Sequence, residues 1–157
     1  MVLLKVNRHT ERESAYLLNA INYVGNRERV ICKGAFGVDS YTPSYSYHQM
    51  MAVKLYFSKT SGNPIIHFVV SFDESVRDPF QAIDISKKIA GFFAEDYQVI
   101  WCVHLVKRGS SKYHTHIVIN SVIYKNGMMY HSGPKELNEF AQHIRQVTGR
   151  SCRWTFR

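Results

Sequence analysis

The residues best suited to chemistry are histidines gathered at two points of the chain: His104, and then the run Tyr113-His114-Thr115-His116. In an extended segment successive side chains alternate between faces, so His114 and His116 project the same way and can grip one ion. If residues 97–106 and 114–125 pair antiparallel through a loop at 107–111, His104 sits beside them on the neighbouring strand. Three neutral imidazoles on a rigid sheet suit a divalent ion and leave coordination positions open for a phosphate oxygen. A His-x-His pair by itself is commonly no more than two outward residues of a strand. The third histidine on the facing strand raises it to a candidate site. Structural zinc is disfavoured, because no cysteine lies beside the cluster.

Positioning such a site takes a sheet, and the sequence supplies the elements for one. Residues 2–6 can form a short strand, and Thr10 with Glu13 has capping-box spacing ahead of Leu17, Leu18, Ile21 and Val24, with Gly25 as the stop. Residues 26–42 read as irregular and residues 45–58 as a weaker helix. Residues 65–72 are a β-branched and aromatic run, hence a buried strand. Asp78-Pro79 opens a helix striped by Ala82, Ile85 and Ile89. Residues 97–106 and 114–125 read as central strands, Asn126-Gly127 as a hairpin turn, residues 134–148 as a last helix and residues 151–156 as an edge strand. The expectation is an α+β fold occupying residues 1–157 as one domain: a central antiparallel sheet with helices packed mainly on one face.

Bulk properties narrow the partners. The chain has 157 residues, with 20 Lys+Arg against 12 Asp+Glu for a formal net charge of +8. A field of that sign favours polyanions. Three widely spaced cysteines make a secreted disulfide framework improbable. No signal peptide or membrane-spanning run is evident, so a cytoplasmic protein without membrane insertion is expected.

The run from Tyr97 to His104, a short polar loop, and His114-Thr-His116-Ile-Val-Ile-Asn120 resembles the metal motif of relaxases of the mobilization-nuclease (MobP-like) group, within the HUH endonuclease superfamily. Two further stretches match in order: Ala20-Ile-Asn-Tyr23-Val-Gly-Asn26 is similar to the family's N-terminal motif, and His67-Phe-Val-Val-Ser71-Phe72 to its middle motif. The resemblance runs from about residue 3 to residue 125. It implies a relaxase-like sheet related to the ferredoxin-like (RRM) arrangement, and His104, His114 and His116 as ligands of Mg²⁺ or Mn²⁺. It further implies that Tyr23 attacks single-stranded DNA at an origin of transfer, with its hairpin, to give a 5′-phosphotyrosine that initiates conjugative mobilization. Accessory relaxosome proteins are the implied partners. Tyr16 is the next candidate nucleophile, Ser71 a candidate phosphate ligand, His67 a core residue or a support to the ligands, and Arg27, Lys107, Arg108 and Lys112 candidate DNA contacts. Relatives of this kind are usually longer, so the chain reads as a bare nuclease domain or a stand-alone short member.

One departure bears on mechanism. Many members carry an acid two positions after the first histidine, where this chain has Val106; Asp73 or Glu74, just beyond the middle strand, is a candidate to replace it. Three rivals compete. A rolling-circle replication initiator usually places its tyrosine on a helix after the His-x-His motif, but residues 134–148 contain none. A non-catalytic single-stranded DNA-binding module would keep the fold without cleavage. An unrelated metal hydrolase needs a water-activating carboxylate, and none stands next to the histidines in sequence.

Overall fold

The computed structural model describes residues 1–7, 14–25, 29–107 and 112–157. Six strands, β1 (Val2–Asn7), β2 (Val30–Phe36), β3 (Ile65–Ser71), β4 (Val99–Leu105), β5 (Tyr113–Asn120) and β6 (Cys152–Phe156), form one sheet in the order β2-β4-β5-β3-β1-β6. All neighbours run antiparallel except β1 and β6, which are parallel and make the sheet mixed at that edge. Among the described residues four α-helices accompany it: α1 (Ser14–Val24), α2 (Pro43–Tyr56), α3 (Pro79–Ala90) and α4 (Pro134–Thr148).

Burial along the strands follows their place in the sheet. The middle strands β3, β4 and β5 are buried at nearly every position, whereas β1 and β6 alternate as strands with one wet face do. On one face Val2, Leu4, Phe68, Val70, Trp101, Ile117 and Ile119 meet Ile89 of α3 and Leu137, Phe140 and Ile144 of α4 in the larger core. On the other, Leu17, Ile21 and Val24 of α1 and Met50 of α2 cover Ile65, Ile100, Cys102 and Val118. That second cover is smaller. It leaves the ends of β4 and β5 nearest the 107–111 connection, with the adjoining parts of β3 and β1, facing an open cleft.

The helix starts follow their capping chemistry. Thr42 and Asp78 each accept backbone N–H bonds ahead of a proline in the first turn of α2 and α3. The capping-box expectation at Thr10 and Glu13 falls outside the described residues. Two expectations are corrected. Residues 26–42 are not wholly irregular, because β2 lies within them and pairs with β4. Its sequence, Val-Ile-Cys-Lys-Gly-Ala-Phe, hides the strand because Gly34 answers a tertiary demand. A Cβ there would lie 2.6 Å from the ring of the buried Trp101. The hairpin turn expected at Asn126-Gly127 joins no pair of sheet strands either, and is closed only by a single bridge between Val122 and Met129. No helix among the described residues is long and apolar enough to cross a membrane, and all three cysteines are free.

Two stability measurements follow. Gly34→Ala should cost about 1–3 kcal/mol in urea unfolding, because overpacking forces a ring or backbone shift. Much of the loss should return when Trp101→Phe is added, and an unchanged midpoint for the single variant would contradict the close approach. The second concerns Lys54, 3% exposed, whose Nζ donates to Ser121 Oγ at 3.0 Å. Burial lowers its pKa from 10.5 to about 8. Below pH 8 the ammonium is charged in both the folded and unfolded states, and its burial penalises the fold. Between pH 8 and 10.5 the unfolded chain holds the extra proton, so this group makes stability rise with pH. Lys54→Met should remove that rise and stabilise the protein at pH 7 by an amount on the order of 3 kcal/mol.

Candidate metal and phosphate site

The site is built by strand register. His104 of β4 is the direct partner of His114 of β5, and Cys102 of His116, so both β5 histidines and His104 project from the same sheet face. Their ring centroids are 5.4 Å (His104–His114), 4.5 Å (His104–His116) and 4.7 Å (His114–His116) apart. One ligand atom from each lies within 4.8 Å of the others. Thr115, between the pair, points into the opposite core and donates its hydroxyl to the Cys102 carbonyl at 2.8 Å, which fixes the alternation.

Neighbours set the protonation of two rings. The Val24 carbonyl at the end of α1 lies 2.9 Å from His104 Nε2. A carbonyl only accepts, so Nε2 carries the proton and Nδ1 the lone pair. His116 Nδ1 is 2.8 Å from His67 Nε2, while its own Nε2 is buried without a hydrogen-bond partner. A buried nitrogen left unpaired among two other imidazoles is what a cation ligand would look like. Burial is the first cause lowering all three pKa values. His114 falls to about 4, with the neighbouring His104, Arg29 and Lys5 adding to the effect, and His104 and His116 move the same way. The triad is therefore neutral at pH 7 and its lone pairs are available. The donor set and its neutrality fit a divalent cation.

Above the rings opens a cleft of about 660 Å³. From α1 it is lined by Tyr16, Asn19, Ala20 and Tyr23, which fall on one flank at helical spacing. Tyr23 is 56% exposed, and its ring centroid is 5.7 Å from that of His116 and 6.4 Å from that of His67. Tyr16 and Tyr23 thus share the cleft. Ser71 lines it as well. Lys107 and Lys112 are exposed and do not line it, and Lys112 Nζ lies 3.6 Å from a Glu74 carboxylate oxygen. Arg27 and Arg108 fall outside the described residues.

The basic residues that do line it are Lys5, Arg29 and Arg157. Sequence reasoning missed Lys5. Lys5 could have been found from the alternation of β1, where Leu3, Lys5 and Asn7 share the wetter face. Arg157 reaches the site only because β6 lies parallel to β1, a pairing that no local signal announces. No Asp or Glu is among the described lining residues, and Val106 lines the cleft where an acid was missed. Asp73 does not replace it. Its carboxylate accepts from the terminal ammonium at 2.6 Å, which with Ser75 holds its pKa well below the usual carboxylate range. Asp73 and Glu74 line a separate surface hollow.

Histidines converging on an open sheet, under a helix-borne tyrosine in a basic cleft, form a site suited to handling phosphate. The chain belongs to the relaxase family described as MobA/VirD2-like, nuclease domain, which it matches over residues 16–150. It is 28% identical over 133 residues to protein rlx of Staphylococcus aureus, a match covering 85% of this chain and 37% of that protein. The chain therefore spans well under half the length of that relative. A solved structure described as the molecular basis of vancomycin resistance transfer in Staphylococcus aureus superposes with a TM-score of 0.53 at 15% identity, covering 80% of this chain and 75% of the other. At that identity the likeness is one of fold.

Titration calorimetry with Mn²⁺ should find one site per chain. Replacing His104, His114 or His116 singly by Ala should weaken it at least about 10-fold, and affinity should fall as pH drops and protons compete for the rings. Three alanine variants that bind as tightly as the parent would rule out the triad.

Proposed function

We propose that this chain is a DNA strand transferase that nicks single-stranded DNA at an origin of transfer through a covalent phosphotyrosine, and so initiates conjugative mobilization. The observation that carries the reading is the approach of the Tyr23 ring to His116 over one basic cleft. A divalent cation, Mg²⁺ or Mn²⁺, bound by His104, His114 and His116 would neutralise charge on the non-bridging oxygens of the scissile phosphate. Lys5, Arg29 and Arg157 hold the flanking phosphates, and Ser71 offers a hydroxyl to one oxygen. Tyr23 supplies the nucleophile: its phenolic oxygen bonds to phosphorus as the bond from phosphorus to the 3′ oxygen breaks. The phenolic proton leaves to solvent and the departing oxygen takes one up, giving a 5′-phosphotyrosine and a free 3′-hydroxyl. No phosphate bond energy is lost, so reversal rejoins the strand.

A second groove extends the binding surface past the end of α1. It is lined by Gly25, residues 30–33 and residues 39–41, with Lys33 and the 81% exposed Tyr41 on its rim. Exposed rings beside cations are what unpaired bases stack on. The absence of a carboxylate among the described lining residues counts against a water-activating hydrolase, and the tyrosine-free α4 against a replication initiator that draws its nucleophile from that helix. Accessory relaxosome proteins and a cytoplasmic setting belong to the same reading.

The test is incubation with Mn²⁺ or Mg²⁺ and a pool of single-stranded oligonucleotides, followed by denaturing electrophoresis. A covalent adduct is expected, lost in Tyr23→Phe and retained in Tyr16→Phe. The opposite pattern would move the nucleophile to Tyr16. Binding without cleavage under both metals would leave the non-catalytic module as the answer.

A further inference from the structure

We propose that Asn7 and His67 form a hydrogen-bonded relay that fixes the tautomer of His116, making them positioning residues for the cation. The inference rests on the triad being a cation site, as in the reading above. Asn7, His67 and His116 stand on three adjacent strands, β1, β3 and β5, and project from one face. Asn7 and His67 are direct register partners, and their side chains meet at His67 Nδ1, 3.2 Å from the Asn7 amide. His67 Nε2 then meets His116 Nδ1 at 2.8 Å. Both rings are almost fully buried, with 3% and 4% exposure.

A single proton occupies the bond between the two imidazoles, and its position decides the chemistry. If His67 Nε2 donates, the proton of neutral His116 is forced onto its Nε2, a buried atom with no acceptor. If His116 Nδ1 donates, Nε2 presents a lone pair to the other two histidines. The second arrangement leaves no buried donor stranded on that ring and is the one a cation needs. It puts the His67 proton on Nδ1, which requires the Asn7 oxygen rather than its nitrogen to face the ring. A half-turn of the amide supplies this, since the two ends of an amide have nearly the same shape. The half-turn exchanges one unpaired amide atom for the other and gains a correctly directed bond. The relay thus orients a ligand as a carboxylate would, without adding negative charge.

The experiment combines ring-nitrogen NMR of the metal-free protein with Mn²⁺ calorimetry. The His116 proton is expected on Nδ1, and His67→Phe should weaken Mn²⁺ binding by about 10–100-fold. His67→Gln, whose carbonyl can accept the same bond, should recover part of the loss. Asn7→Asp should tighten binding several-fold and Asn7→Leu should weaken it. A proton on His116 Nε2, or Mn²⁺ affinity within about 2-fold of the parent in His67→Phe, overturns the relay. Should His67→Phe fail to fold, the parent's NMR spectrum and Asn7→Asp still decide. Should the parent bind no Mn²⁺, the metal reading fails, while the ring spectrum still settles where the proton lies.

Discussion

The carbonyl of Val24 is where the two halves of the site are joined. A helix leaves its last carbonyls without intrahelical partners, and α1 directs this one at the sheet, where it takes the His104 Nε2 proton at 2.9 Å and the Cys102 thiol at 3.0 Å. That contact orients His104 and seats the end of α1 on β4. Tyr23 is the preceding residue, so the seating also sets its height above the histidines. Leu17, Ile21 and Val24 are buried from the neighbouring flank of the same helix, and this leaves Tyr16 and Tyr23 turned to the cleft. Candidate ligand and candidate nucleophile are therefore not independent placements. A shift of α1 along its axis would move the phenol and change the protonation of a ring together.

What could be read from the chain, and what could not, divides along sequence distance. The His114-x-His116 face follows from strand periodicity, and the approach of His104 follows from a short connection between adjacent strands. Both are local inferences, and the register places His104 opposite His114. The helix starts at Asp78 and Pro134 are equally local. β2 escaped because its Gly34 is shaped by Trp101, 67 positions further along. The relay needs β1 beside β3, a pairing of Asn7 with His67 across 60 positions, and Arg157 needs β6 parallel to β1. Such contacts have no local signature, since nothing in a polar residue on a wet strand face says which strand will lie alongside. Lys107 and Lys112 show the converse. They flank the histidines in sequence, yet are not among the residues that line the cleft.

The charge lining the cleft favours an anion. The rings are neutral because burial penalises their protonated forms. A divalent cation held there would add two positive charges to a cleft already lined by Lys5, Arg29 and Arg157, with no described carboxylate to offset them. Close like charges in a partly desolvated site repel one another more strongly than in water. The arrangement is relieved when something negative enters, and a phosphodiester backbone supplies one charge per nucleotide along its path. Cation and polyanion should accordingly bind with positive linkage, each raising affinity for the other by the same factor. A relay built from an amide and an imidazole, with no carboxylate, preserves that demand: it orients His116 and leaves the positive field for the phosphate to neutralise.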